Sequence, residues 1–356
     1  MPLTDADIAR WRLRSQRLIR PHAAGAKDVV GHLLAVQAEN PRQSAWAVAG
    51  RTETPDPADL GGLLDSGAVL RTHVLRPTWH YVAAEDIVWL IEVTAPRVFK
   101  VTEQQLTEFD GDALDRATAA VLDSLATEGD LTRPQMSEAL AARGVTATGH
   151  LLMILLAHLE LQTLICSGRP ADGQHTYARM SDRVPQPRRM EREDALAELA
   201  RRYFTGHGPA TEKDLAYWAT LTVTDVRTGL AAVADELERF AHDGRTYWHA
   251  PGDPPAAGQE PRGHLLQVLD EMYRGYQDSR YVLDTAGLVP RAREPAVGMA
   301  LVDGQLLAWM KRTLAKDRVD FALTPLRDLA PDEVDALQEA AERYGAFLGL
   351  PARLSV

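Results

Sequence analysis

The chain has 356 residues, 45% hydrophobic and 25% charged, with a net charge of −11; this is a globular composition that excludes a disordered chain and leaves room for two to four domains. Its single cysteine, Cys166, excludes an internal disulfide and a cysteine-rich zinc site, and fits a reducing cytoplasm. No apolar run approaches the roughly 18 residues of a membrane span, and the N-terminus lacks the apolar stretch of a secretory signal, so a cytoplasmic protein without membrane contact is expected.

The first 51 residues carry eight Lys/Arg against four acids, while residues 101–140 carry nine acids against two arginines. A chain polarised in this way can turn a basic face to a polyanion while staying acidic overall. Scattered solvated charge explains the same numbers. Within the basic segment, "TDADIARWRLRSQRL" predicts a helix with Thr4 as N-cap and Asp7 three residues on. Arg10, Arg14 and Arg17 fall on one side of it, a candidate phosphate-tracking stripe whose competing reading is a solvated face. "KDVVGHLLAVQ" predicts a second helix that ends between Gln37 and Glu39.

"AVLRTHVL" and "TWHYVAAEDI" then predict a hairpin turning at Arg76-Pro77, with His73 on the surface. Strand alternation places Thr78, His80 and Val82 on one face, with Trp79 and Tyr81 on a buried one. Helices followed by a hairpin make a winged helix-turn-helix, and the pattern recurs twice. "DALDRATAAVLDSLATEG", "LTRPQMSEALAARGV" and "GHLLMILLAHLELQTLICSG" precede a second hairpin at Asp172-Gly173. "DALAELARRYFTGHG", "ATEKDLAYWATL" and "TVTDVRTGLAAVADELERF" precede a third at Asp243-Gly244. Thr132 or Asp130, Thr211, and Thr222 or Thr224 are expected helix caps. The basic run "RVPQPRRMER", with Arg188 and Arg189, links the second and third modules.

A Pro- and Gly-rich linker spans residues 250–263, followed by a hairpin through Asp303-Gly304 and a closing amphipathic helix, "PDEVDALQEAAERYGAFLG". The expected fold is therefore mainly α with β wings (α+β): winged-helix domains at 1–112, 113–190 and 191–250, then a β-rich α+β domain at 264–356. Trp46, Trp89 and Trp218 sit in apolar periodic settings and are expected to anchor cores.

The stretch "LLAVQAENPRQSAWAV" places Gln37 and Glu39 one residue apart, just before Asn40-Pro41. On a helix these two would diverge, but past the helix end, in extended chain, they point the same way. An amide and a carboxylate side by side can hold one water molecule, and the carboxylate can take its proton. A polar helix end whose side chains cap the backbone is the alternative.

The tandem winged helices, "LLAVQAENPRQSAWAVAGR" and "LRTHVLRPTWHYVAAEDI" together resemble the AlkZ/YcaQ family of bacterial winged-helix DNA glycosylases. The resemblance extends through "LARRYFTGHGPAT" and "DFALTPL" and is strongest in the first hundred residues. It implies three winged-helix domains and a C-terminal β-rich domain. It also implies excision of cationic N-alkylated purines, notably N7-alkylguanine, with crosslink unhooking and protection of alkylating-antibiotic producers in some members. The family's signature is Gln-apolar-Gln or Gln-apolar-Asp, and Gln37 and Glu39 occupy the matching positions, with Glu departing from both. Where relatives carry an "LPNYDEY"-like stretch, this chain reads "LLQVLDEMYRGY" and keeps Asp270 and Glu271.

Such a site would work on an already cationic base, through an oxocarbenium-like sugar, and would need no metal or redox cofactor. Gln37 is the expected water-orienting group and Glu39 the base and electrostatic stabiliser. Thr78, His80 and Arg76 are candidate site-lining residues, with Arg76 reaching a phosphate; a hydrogen-bonded structural His80 and a solvated Arg76 are the alternative. Arg10, Arg14, Arg17, Arg42, Arg188, Arg189, Lys311 and Arg312 are the candidate DNA contacts, each with a solvated-surface alternative. The partner would be double-stranded DNA with alkylated bases, bound by a monomer. A non-catalytic winged-helix DNA-binding or regulatory protein remains the second reading.

Overall fold

A computed structural model describes residues 3–76, 78–107, 109, 112–289 and 297–356, so Pro77 of the expected turn lies outside the described residues. Three segments repeat one order of elements. The first runs α2 (Ala26–Leu33), β1 (Val36–Gln37), α3 (Pro41–Ala49), α4 (Pro57–Ser66), β2 (Val69–Val74) and β3 (Thr78–Ala83), after a leading α1 (Asp5–Ser15). After α5 (Ile87–Gln105) come α6 (Ala113–Glu128), β4 (Leu131–Thr132), α7 (Arg133–Ala142), α8 (Gly149–Leu161), β5 (Ile165–Ser167), β6 (Thr176–Arg179) and the single turn α9 (Met180–Arg183). The third has α10 (Arg192–Gly206), α11 (Glu212–Trp218), α12 (Val223–Val233), β7 (Glu238–His242) and β8 (Arg245–His249).

In each repeat the short strand after the first helix pairs with the second hairpin strand. The sheet orders are β1-β3-β2 and β4-β6-β5, and in the third repeat a bridge from Ala210 to Trp248 takes the same place. No helix or strand lies between His249 and Gly263. The chain then forms β9 (Gly263–Leu266), α13 (Glu271–Arg274), a 3₁₀ turn (Arg280–Leu283), β10 (Gly298–Val302), β11 (Gln305–Leu314), β12 (Val319–Pro325), α14 (Pro331–Leu348) and β13 (Ala352–Ser355). These strands make one sheet, β13-β12-β11-β10-β9, with α14 packed on β9 and β13.

Local chemistry accounts for the element ends. Thr4, Thr132, Thr211 and Thr222 each close a reciprocal capping box. The hairpin pairs Asp172-Gly173, Asp243-Gly244 and Asp303-Gly304 all take positive φ at both residues, the geometry that matches strand twist. One boundary differs from expectation: α2 ends at Leu33, because Leu34 turns into the left-handed region at φ 67°, and Val36 is already in a ladder. Proline at 41 opens α3 and does not end α2.

The cores couple segments far apart in sequence. Helix α1 buries Ile8, Ala9 and Leu13 against Tyr247, Leu266 and Leu301, so it packs on the third repeat and the C-terminal sheet. Trp46, Trp89 and Trp218 are all buried, as expected; Trp46 stacks on Tyr344 of α14 at 4.3 Å. His73 departs from its expected surface position: it is buried and paired with Glu160 of α8. The hairpin β2–β3 departs too. Its Val74 and Val82 face joins the core around α5 and α10, while Tyr81 joins the core of α2, so both faces are covered and Trp79 is only half-buried.

Candidate active site

The strand that follows Leu34 fixes the geometry of the Gln-Ala-Glu stretch. Val36 and Ala38 are fully buried in the core between α2 and α3, so Gln37 points to the other side of the strand. Gln37 lies opposite His80 in the ladder, and Ala38 N donates to Trp79 O at 2.7 Å. The ladder then changes character. Trp79 N donates to the Glu39 carboxylate (Oε2, 3.2 Å), and the carbonyl it would have used, that of Ala38, accepts from Arg71 Nε at 2.9 Å. Glu39 thus stands exposed at the edge of the hairpin with one oxygen anchored, and among the described residues Oε1 has no hydrogen-bond partner.

Gln37 is 4% exposed and its amide is oriented by Arg76. Arg76 Nη2 lies 3.1 Å from Gln37 Oε1 and 3.2 Å from His80 Nε2, while Nη1 donates to Trp218 O at 2.9 Å. A guanidinium only donates, so the Gln37 atom facing it is the oxygen and the amide nitrogen faces away. That nitrogen has no protein acceptor among the described residues, yet it is not one of the buried unpartnered atoms, so the solvent-facing sliver of Gln37 includes it. His80 Nδ1 lies 2.9 Å from Thr78 O; a carbonyl only accepts, so Nδ1 carries the proton and Nε2 accepts from Arg76. The Thr78 hydroxyl is buried without a partner among the described residues.

Beneath this layer lies Glu271, a residue whose role the spacing of the sequence did not reveal. It is fully buried and accepts from the Gln37 main-chain N at 2.9 Å and from Trp218 Nε1 at 2.8 Å, with His207 Nε2 at 3.4 Å. Burial alone would raise its carboxyl, but the His207 imidazole and the Arg76 charge bring it down to about 2. Its neighbour Asp270 accepts two bonds from Arg51, at 2.8 and 3.1 Å, with both side chains 1% exposed. The fragment "DEM" therefore docks the C-terminal sheet under the first repeat.

Of the expected site-lining residues, the structure brings Arg76 and His80 to Gln37, while Thr78 joins them through its carbonyl on His80. Arg76 is not free for a phosphate, because its guanidinium is turned inward onto Gln37, His80 and the Trp218 carbonyl. The arginine stripe is interrupted. Helix α1 ends at Ser15, so Arg17 lies beyond it at φ 62° and donates to Pro21 O at 3.1 Å. Arg10 pairs with Asp7, and Arg14 donates to the Asp253 carbonyl. Arg188 faces Asp86 and Glu198 at 3.9 and 3.8 Å, and Arg189 pairs with Glu92. Arg42 and Lys311 are exposed and, among the described residues, pair with no carboxylate. Arg312, on the other face of β11, donates to Tyr344 Oη at 2.9 Å and reaches the Arg42 carbonyl at 3.3 Å. An apolar cleft of about 210 Å³, lined by Leu60, Arg71, Tyr81 and His175, lies on the reverse face of the hairpin from Gln37 and His80.

The buried imidazoles set an acid limit on stability. Burial, aided by Arg76, pushes His80 down to about 3, and burial followed by Arg343 does the same to His264. Unfolded histidines titrate near ~6.5. Between those values the unfolded chain binds more protons, so stability is full above about pH 6.5 and falls as pH falls. Glu271 adds the same sign below its ordinary value of 4.5. Urea unfolding at pH 7, 6 and 5 should show a loss of up to about 1.4 kcal/mol per pH unit for each such histidine. His80→Asn should flatten that slope; an unchanged slope would show that His80 is not held neutral.

Known proteins resemble this chain in sequence and in fold. An interstrand DNA cross-link repair glycosylase of Streptomyces sahachiroi is 24% identical over 263 residues, covering 67% of each chain. The solved structure of the Streptomyces sahachiroi DNA glycosylase AlkZ shares the fold, with a TM-score of 0.75 at 18% identity over 100% of both chains. The family model for AlkZ-like DNA glycosylases matches residues 30–347, and the chain belongs to that family.

Proposed function

We propose that this chain hydrolyses the N-glycosidic bond of cationic N-alkylated purines, N7-alkylguanine above all, in duplex DNA, as a monofunctional glycosylase. The observation that carries the reading is the pairing of an amide nitrogen, turned outward by Arg76, with an exposed carboxylate two residues on. A water held by the Gln37 N–H has its oxygen positioned and can give a proton to Glu39 Oε1. Its oxygen attacks C1′ as the C1′–N9 bond breaks. The bond pair neutralises the positive charge of the alkylated base, which leaves as neutral alkylpurine, and an abasic sugar remains. The cationic base needs no protonation, so the protein supplies a placed water and negative potential beside the sugar.

In this reading the three repeats are winged helix-turn-helix domains at 1–112, 113–190 and 191–250, and residues 264–356 are the β-rich domain. Arg42, two residues past Asn40 at the N-terminus of α3, and Lys311 are the phosphate contacts closest in kind to what DNA requires, being exposed and paired with no carboxylate among the described residues. The other candidate arginines already hold carboxylates or carbonyls. The open edge on which Glu39 stands suits bulky adducts, and the relative's description as a cross-link repair glycosylase supports extending the substrates to crosslinked purines.

The test uses duplex DNA with one N7-methylguanine, incubated with the full chain and then treated with alkali. Strand breaks above the spontaneous rate are expected. Binding without breaks would instead favour a DNA-binding protein without catalysis.

A further inference from the structure

We infer that Glu271, acting with Arg76, is a positioning device that decides which end of the Gln37 amide faces the substrate. A glutamine amide is nearly isosteric about its end, and only its partners distinguish oxygen from nitrogen. Arg76 makes that choice with a fork: one Nη2 hydrogen goes to Gln37 Oε1 and the other to His80 Nε2. A guanidinium drawn partly out of water is held by a counter-charge. Burial weakens the Arg76 cation, and the charge of Glu271 is the largest influence opposing that loss. The same carboxylate accepts from the Gln37 main-chain N–H and from the Trp218 indole. Gln37 is therefore fixed twice by one acid: directly through its backbone, and through Arg76 at its side chain.

That acid comes from 234 residues away in sequence. The C-terminal module thus belongs to the working site, although Glu271 is sealed from any substrate and contacts none. The inference rests on the reading of Gln37 as the water-orienting group. If the device loosens, the amide can present its oxygen outward, where it cannot donate to a water positioned for attack.

The test measures single-turnover release from a duplex with one N7-methylguanine, and separately the affinity for the same duplex undamaged. Glu271→Gln keeps the shape but removes the charge and places an amide N–H₂ among donors. Its rate is expected to fall about 100-fold, the scale of a small misplacement of a reacting group. Affinity for undamaged duplex should stay within about twofold, which a general loss of structure would not permit. Arg76→Lys keeps the charge but not the fork and should fall by a similar factor. The double variant should fall no further, because both act on one amide. If Gln37→Ala releases base as fast as the unaltered protein, the reading of Gln37 fails. If Gln37→Ala is inactive while Glu271→Gln keeps the full rate, the positioning role is overturned. Should Glu271→Gln not fold, a full rate in Arg76→Lys overturns it alone.

Discussion

Gln37→Ala is expected to slow base release by about 100-fold or more at saturating protein, the usual cost of removing one oriented donor from a preorganised site. The truncation leaves Arg76 and His80 in place but removes the amide N–H that Arg76 leaves free of protein partners among the described residues. Glu39→Ala should fall by a comparable factor, since it removes both the proton acceptor and the anchor on Trp79 N. Glu39→Gln separates the two roles. Its amide oxygen can still accept from Trp79 N, so the strand edge keeps its geometry while the charge is lost. An intermediate rate would assign part of the effect to charge. A rate equal to that of the unaltered protein would show that Glu39 serves only to position, and undiminished release by Gln37→Ala would remove the proposed mechanism altogether.

The largest stability effect is expected at Asp270. Its carboxylate takes two bonds from the buried Arg51 and also caps α13 through Met272 N at 2.9 Å. Arg51 is further held by Ala47 O at 2.6 Å and by Gln16 Oε1 at 2.8 Å, so it cannot swing out to water. Asp270→Ala strands that cation, and breaking a buried pair from one side costs about 3–5 kcal/mol. Denaturant unfolding should show this directly. The paired change Arg51→Met with Asp270→Leu should recover much of the loss, because apolar groups of similar volume often replace a buried pair at little cost. A double variant no better than the single one would show that the cap and the Gln16 contact matter more than the charge.

Much of the fold is legible locally. Capping residues and the Asp-Gly turns act through neighbours within a few residues; the structure places the turns as the sequence indicates and chooses Thr132 over Asp130 and Thr222 over Thr224 as caps. The facing of Gln37 is legible as well, because alternation in extended chain needs no tertiary information. Other features are not local. The early end of α2 is set by Leu34 in a left-handed conformation that no leucine prefers alone, so Pro41 misdirects the boundary. His73 reads as surface because its partner Glu160 is 87 residues away. Trp218 reads correctly as a core residue, yet its indole N–H and its carbonyl both serve the site. Glu271 was visible only as part of a shortened "DE" fragment. Nothing within its own helix reveals that Gln37 will be its neighbour.

Helix α1 has a consequence for how the molecule meets a large ligand. By seating Ile8, Ala9 and Leu13 among residues of the third repeat and the C-terminal sheet, it ties the beginning of the chain to elements more than two hundred residues downstream. The start of the chain thereby bridges the third repeat and the C-terminal sheet. A long polyanion would encounter a surface already assembled, and little of its binding energy would be spent on gathering loose parts. Trimming the leading helix should then weaken association through lost preorganisation, even where no removed side chain touches the ligand.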